Sequence, residues 1–155
     1  MRDAMLVGAG RLDRTLGGRP VDIAGDAKNA RRTVYGLVDR QSLPGLFRAF
    51  DFAVPDQSVE RRPMTTVPQQ ALFGLNSAFM TEQAKALAAR TEKLTGEPRV
   101  RELYRLVNAR NPEAFEVKAA LRFVETPSSA EKSQLTSWQQ YAQVLLLTNE
   151  VMFVD

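Results

Sequence analysis

Asp51 and Asp56 are the residues whose type and spacing could support catalysis in this sequence. A glycosidase needs one carboxyl group as acid and another as base or nucleophile, about 5–10 Å apart across the sugar. Two aspartates in a short polar stretch are compatible with that requirement, and equally with Asx-turns and salt bridges in a loop. We therefore treat Asp51 and Asp56 as the catalytic candidates, while the favoured interpretation is a chain without a catalytic centre.

Arginines on both sides of these aspartates could bind an anion. Guanidinium groups hold sulfate, phosphate or carboxylate through paired donors, and a capped helix start would add free backbone N–H groups. The alternative is an internal salt-bridge network, with Asp51, Asp56 and Glu60, that braces a loop. We favour this alternative, because arginine pairs beside aspartates in a long loop usually serve as braces. The predicted cluster comprises Arg31, Arg32, Arg61, Arg62 and Gln69.

The chain contains no cysteine and no histidine. Disulfides, thiolate metal sites and serine–histidine or cysteine–histidine catalysis are therefore excluded within this chain. A zinc or copper site would have to be built from carboxylates alone, and no EF-hand spacing indicates calcium. The sequence predicts neither a metal site nor a cofactor.

The net charge of +3 lies entirely in the first half of the chain. Residues 1–75 hold eleven basic and eight acidic side chains, whereas residues 76–155 hold ten of each. The arginines alternate with aspartates, so they do not form the uniform basic stripe of a nucleic-acid-binding protein. No apolar run approaches the ~20 residues that span a bilayer. We expect neither nucleic-acid binding nor membrane insertion.

Helical signals dominate from residue 66 onward. Thr66 with Gln69, and Ser128 with Glu131, have the spacing of capping boxes. Apolar periodicity predicts helices over residues 78–94, from 98 to the cap at Asn111, from 112 to 125, and up to about 149. Gly96 stands where a helix would stop. An earlier helix is predicted from the Thr66–Gln69 capping box to Asn76, and in it Leu72 and Leu75 share a face with Pro68 and Ala71.

The N-terminal third is less regular. Residues 2–8 suggest a short helix, residues 10–32 a loop with a short strand near 21–23, and residues 32–38 a strand or a helix start. The predicted fold is mainly α, a helical bundle of about five to six helices with a loop-rich N-terminal third. We predict a single domain over residues 1–155, with an irregular part (1–65) and a helical part (66–155), as a piece of a larger protein.

Aromatic residues on helical faces could stack on sugar rings. Trp138 and Tyr141 follow the period of the apolar stripe in the last helix. Since that period is the signature of a buried face, we predict that both pack in the core. Core packing is also the expectation for Phe47, Phe50 and Phe52.

Several motifs together resemble a known family. They include Arg31–Tyr35, Phe50–Asp56, the run from Thr65 to Leu72, and Gln140–Glu150 near the end. Together they are similar to the C-terminal part of a planctomycete-specific domain of unknown function, which lies downstream of planctomycete cytochrome c modules. The resemblance covers nearly the whole chain.

This resemblance implies export to the periplasm or a related compartment, beside haem-bearing and carbohydrate-related modules, and it implies no activity. The chain itself lacks the Cys-x-x-Cys-His haem motif and a signal peptide. The expected function is a non-catalytic interaction or scaffold module whose partners are neighbouring domains. The alternative is a part of a polysaccharide-acting enzyme, or a module that binds an anionic polysaccharide through the arginine–aspartate cluster.

Overall fold

The computed structural model describes residues 1–60, 65, 68–126 and 135–152. Within these ranges the chain is all-α, with eight α-helices and no β-strand, which confirms the predicted fold class. Five of these helices have nine or more residues, and the other three are short. In chain order they are α1 (Arg2–Gly8), α2 (Gly45–Ala49), α3 (Pro68–Asn76), α4 (Ala78–Arg90), α5 (Gly96–Asn108), α6 (Ala114–Glu125), α7 (Ser137–Leu146) and α8 (Asn149–Met152), and a 3-10 turn spans Thr33–Tyr35.

One apolar core joins the helices. α4 packs along α7, α5 packs against α6 and α7, and α1 packs against both α4 and α5. Met80, Leu87 and Leu103 are completely buried at the centre. Met5 and Leu6 of α1 are as deeply buried as these residues and belong to the same core. The first helix is therefore part of the bundle, although its sequence neighbours are loops.

The end of α4 differs from the prediction because a side chain from the next helix sets it. α4 ends at Arg90, four residues before the predicted end, and buried Thr91 donates its hydroxyl to the carbonyl oxygen of Ala88. Arg99 of α5 donates to the Thr91 hydroxyl at 3.2 Å and to the Ala88 oxygen at 3.0 Å. Gly96, predicted as the stop of α4, is instead the first residue of α5, with φ +59°.

The two helices predicted on either side of Asn111 are present as α5 and α6, but the cap between them is shifted. Ala109 ends α5 in the left-handed conformation, and the N-cap of α6 is Glu113 rather than Asn111. Glu113 and Glu116 form a reciprocal capping box, in which the Glu113 N–H donates to the Glu116 carboxylate at 2.7 Å. Asn111 accepts from Arg105 instead, so its side chain is not available as a cap.

The capping boxes predicted at Thr66 and at Ser128 lie outside the described residues. A further capping box, at Thr136 and Gln139, starts α7 and has the same sequence signature. In α3, the predicted apolar face is wrong, because Leu72 and Leu75 are both more than half exposed. α3 instead packs through buried Gly74, whose carbonyl oxygen accepts from Gln143 of α7 at 2.9 Å.

The two strands considered in the N-terminal third do not form. Val21 makes only an isolated bridge to Gly36, and residues 33–35 are a 3-10 turn. At the first of these strands, the Asp22 carboxylate accepts from the N–H groups of Ala24 and Gly25, and such local hydrogen bonds favour a turn. Among the described helices, none combines the length and the apolar character needed to cross a bilayer.

Candidate functional site

Residues 11–41, which we call the loop layer, keep their shape through short-range hydrogen bonds. Each of the four aspartates in this segment accepts a backbone N–H two or three residues further on, as in Asx-turns. The carboxylates thus satisfy backbone donors in a segment that has little regular structure. The donor–acceptor distances are 2.9 Å for Asp13, 3.0 and 2.7 Å for Asp22, 2.9 Å for Asp26 and 2.9 Å for Asp39.

Backbone hydrogen bonds then join the two halves of the loop layer. The Asp13 N–H donates to the Ala30 oxygen at 2.9 Å. Val21 bonds to Tyr35 and to Leu37, with distances of 2.9 and 2.8 Å. The loop layer therefore folds back on itself and has a defined conformation.

Two residues of α1 fasten the loop layer to the helical bundle. Arg2 donates to the carbonyl oxygens of Arg31 and Asn29 at 2.6 and 2.5 Å. Asp3 accepts from the backbone N–H of Thr33 at 2.8 Å and from its hydroxyl. Burial lowers the pKa of Arg2, because desolvation disfavours the charged guanidinium. The sequence did not single out either residue, since their partners lie about thirty positions away.

Arg31 and Arg32 both contact other residues of the chain. Arg31 donates to the Gly17 carbonyl oxygen, lies over the Tyr35 ring at 4.6 Å, and approaches Asp13 at 4.0 Å. Arg32 approaches Asp3 at 3.8 Å. The carboxylates beside these two arginines are therefore those of Asp13 and Asp3.

The predicted catalytic pair occupies the segment after α2. Asp51 adopts φ +54°, a left-handed conformation that aspartate tolerates better than most residues. Both of its carboxylate oxygens accept from Thr65, at 2.7 Å from the N–H and 2.7 Å from the hydroxyl. Asp56 is exposed, as is Gln69 near the start of α3. The remaining members of the predicted cluster, Arg61 and Arg62, lie outside the described residues.

The outer surface of the loop layer combines cationic and apolar side chains. Arg14, Arg19 and Arg40 are exposed and form no ion pair with a described residue. Leu16 is 77% exposed and Val34 is 72% exposed. The layer holds seven basic and four acidic residues, 7 − 4 = +3, which equals the net charge of the whole chain.

A second ionic cluster, which the sequence did not reveal, lies at the connection between α5 and α6. Arg110 makes paired hydrogen bonds to Glu116, at 2.8 and 2.7 Å, and to Glu150, at 3.0 and 2.7 Å. Its guanidinium lies 5.3 Å from the centre of the Tyr104 ring. This cluster ties the α5–α6 connection to α8, and its partners are forty residues apart in sequence.

Hydrogen bonds from Arg110 lower the pKa of Glu150 to about 2 and also lower the pKa of Glu116. Both carboxyl groups have ordinary values near 4.5. Since their folded pKa values are depressed, the unfolded chain binds more protons in acid. The stabilising contribution is complete above pH 4.5 and is lost as the pH falls toward 2.

We therefore expect Arg110→Met to lower the urea midpoint at pH 7. The difference in urea midpoint between this variant and the wild type should decrease as the pH falls from 4.5 to 2. Methionine keeps an apolar stem over Tyr104 and removes the charge. Arg101→Met is the control, because Arg101 pairs only with exposed Glu97 among the described residues. An equal difference in urea midpoint at pH 4.5 and at pH 2 would contradict stabilisation of the Glu116 and Glu150 carboxylates by Arg110.

The aromatic side chains of α7 pack as predicted. Tyr141 is buried, with ring centroids of Phe123 and Trp138 at 5.9 and 6.4 Å. Trp138 is partly buried against the core, with the Arg99 guanidinium 4.4 Å from its ring centre. Neither ring is therefore free to form a flat sugar-binding platform. Among the described residues, no three acidic side chains converge in a way that would hold a metal ion.

Comparison with known proteins gives the family. The model of PSD1, a protein of unknown function (DUF1553), matches residues 1–124. No curated protein and no solved structure matches the chain. The match covers the loop layer, α1 through α5, and nearly all of α6, and it confirms the resemblance to a domain of unknown function. The chain belongs to the DUF1553 family of proteins of unknown function.

Proposed function

We propose that this chain is a non-catalytic interaction module of a larger exported protein, and that its loop layer binds a neighbouring domain. The observation that carries the proposal is that one hydrogen-bonded, irregular layer carries exposed leucine, valine and arginine side chains. Export and the neighbouring domains are inferred from the family resemblance of the sequence motifs.

Preorganisation supports a binding role for the loop layer. A loop that is ordered before binding loses less conformational entropy when a partner docks. The four Asx-turns and the hydrogen bonds from Arg2 and Asp3 provide this order. The net charge of the layer is +3, so the layer as a whole would attract an anionic partner.

The side chains on the surface indicate the chemistry of the partner. Leu16 and Val34 would supply apolar contacts, and arginine is enriched in protein interfaces. Arg14, Arg19 and Arg40 would steer an acidic surface toward the layer and disfavour a basic one. The expected partner is therefore a protein domain with an apolar centre and an acidic rim.

Binding of an anionic polysaccharide is the second candidate function, because the loop layer carries the chain's entire net charge. The exposed aliphatic side chains favour a protein partner over a polysaccharide, because sulfate and uronate groups form no favourable contacts with them. A module that cleaves a polysaccharide would need the Asp51 carboxylate as acid or base. That carboxylate accepts hydrogen bonds from the N–H and the hydroxyl of Thr65.

The proposal is tested by titrating the chain with the separately produced polypeptide that flanks it in its reading frame, at about 0.15 M salt. Leu16→Ser with Val34→Ser should weaken binding about tenfold, as should Arg14→Glu with Arg40→Glu. The control is Leu94→Ser, a change of an exposed leucine outside the loop layer.

Two results would overturn the proposal. Heparin binding that depends on Arg14 and Arg40 but not on Leu16 and Val34, with no binding of the flanking polypeptide, would favour the polysaccharide ligand. Release of product from a polysaccharide, lost in Asp51→Asn, would show that the module is catalytic.

A further inference from the structure

Residues 14–20 form a continuous exposed stretch of the loop layer. Leu16, within this stretch, has 77% of its surface in water. None of the seven residues belongs to the core that the described residues form. Burial of side chains therefore does not set the conformation of this stretch, and hydrogen bonds to its backbone must do so.

Side chains from the second half of the loop layer bind the backbone of Gly17, in the segment 16–19 that we call the glycine bend. The Gly17 N–H donates to the Tyr35 hydroxyl at 2.9 Å, and the Gly17 carbonyl oxygen accepts from the Arg31 guanidinium. Arg31 and Tyr35 also contact each other, since the guanidinium lies 4.6 Å from the centre of the ring. Both backbone polar groups of one exposed residue are therefore fixed by a stacked pair of side chains.

The backbone of the glycine bend is left-handed at two consecutive positions. Gly17 has φ +73° and Gly18 has φ +93°, conformations that residues with a Cβ atom adopt at a cost. A Cβ atom at Gly17 would meet no atom of a described residue within 4 Å. The backbone conformation, and not a lack of space, therefore favours glycine at position 17.

The charges of this stretch favour an acidic partner. Arg14 and Arg19 are its charged residues, and it contains no acidic one. The adjacent carboxylate, that of Asp13, accepts from the Thr15 N–H at 2.9 Å and lies 4.0 Å from the Arg31 guanidinium. With Asp13 and Arg31 counted, three positive charges and one negative charge leave 3 − 1 = +2. A positive surface attracts an acidic partner and disfavours a basic one.

We propose that the glycine bend is the part of the loop layer that contacts the partner domain, with Leu16 as its apolar anchor. This inference rests on the proposed binding function of the loop layer and assigns roles within it. Leu16 enters an apolar pocket of the partner, and Arg14 and Arg19 meet carboxylates around that pocket. Tyr35 and Arg31 are positioning residues, which act on the anchor through the backbone of the bend.

Single substitutions test the anchor and its positioning, in titrations of the full chain with the flanking polypeptide at about 0.15 M salt. Leu16→Ser should weaken binding about tenfold, whereas Val34→Ser, at a similarly exposed residue of the same layer, should weaken it less than about threefold. Tyr35→Phe removes only the hydroxyl that accepts from Gly17 and should weaken binding about fivefold. An unchanged urea midpoint in Tyr35→Phe separates this positioning role from a general loss of stability.

A pair of glycine substitutions tests the backbone conformation of the bend. Gly17→Ala should weaken binding of the flanking polypeptide about tenfold, because alanine disfavours the φ of +73° that the bend requires. Gly45→Ala is the matched control, since a Cβ atom there also meets open space and the φ of Gly45 is not positive. Gly45 lies at the start of α2, outside the loop layer, and its substitution should leave the affinity unchanged. Circular dichroism checks that both variants fold.

The outcomes distinguish this inference from the proposed function. If Leu16→Ser and Tyr35→Phe each change the affinity less than about twofold while Val34→Ser weakens it, the glycine bend is not the contact and the loop layer still binds its partner. Equal affinities of Gly17→Ala and Gly45→Ala would likewise overturn the role of the bend alone. No binding of the flanking polypeptide by the wild-type chain would overturn both proposals.

Discussion

Replacing Leu6 by alanine is expected to lower the free energy of unfolding by about 2–5 kcal/mol. Leu6 is 1% exposed and packs in the same core as Met80 and Leu103. Truncation leaves a cavity where α1 meets α4 and α5, and these helices are too well packed to close it. Urea unfolding followed through the fluorescence of Trp138, the chain's single tryptophan, measures the effect.

Leu16→Ala is the matched control for this prediction. It removes the same atoms from the same N-terminal third, but at a side chain that is 77% exposed. We expect it to change the free energy of unfolding by no more than about 0.5 kcal/mol. Equal effects of the two substitutions would mean that α1 is an appendage to the bundle. That outcome would support the predicted division of the chain near residue 65.

The helices that the sequence predicts well are those with a long apolar period. α5 and α6 follow from the spacing of Val100, Leu103 and Val107, and of Val117 with Ala120. Such spacing can be recognised within a single segment of the sequence, and the structure buries the predicted face of each helix. α1 has the same character but only seven residues, too few for its period to show that it belongs to the core.

Helix ends were predicted less well because tertiary contacts set them. Nothing near residue 90 indicates that Arg99, from the following helix, will satisfy the last carbonyl groups of α4. The Glu113–Glu116 capping box was readable from spacing, but Asn111 and Pro112 offered a more familiar signal. In α3, two leucines were placed on a buried face although the helix packs through Gly74.

Tertiary contacts also limited what the sequence could predict about the candidate site. The sequence identified Arg31 and Arg32 as members of a bracing or anion-binding cluster, but it did not identify Asp3 as a partner of Arg32. Proximity between residues about thirty positions apart depends on how the loop layer folds back on α1. The Arg110–Glu150 contact spans forty positions and carries no local signature. Long-range ionic pairs of this kind become visible only in three dimensions.

Replacing Arg2 by methionine is expected to release the loop layer from the bundle and to cost about 2 kcal/mol or more. The substitution removes two charged hydrogen bonds, to the carbonyl oxygens of Asn29 and Arg31, and keeps an apolar stem near Phe79. Arg14→Met is the control, because Arg14 is exposed and pairs with no described residue. Native-state hydrogen exchange should show faster exchange of the Asp13, Val21 and Leu37 amides in Arg2→Met alone.

This experiment separates local opening from global unfolding. Leu6→Ala lowers the stability of the whole core, whereas Arg2→Met acts on the contact between α1 and the loop layer. If preorganisation of the layer matters for binding, Arg2→Met should weaken the binding of the flanking polypeptide. Unchanged exchange rates in Arg2→Met would show that the Asx-turns hold the layer by themselves. The role of α1 would then be limited to its apolar face.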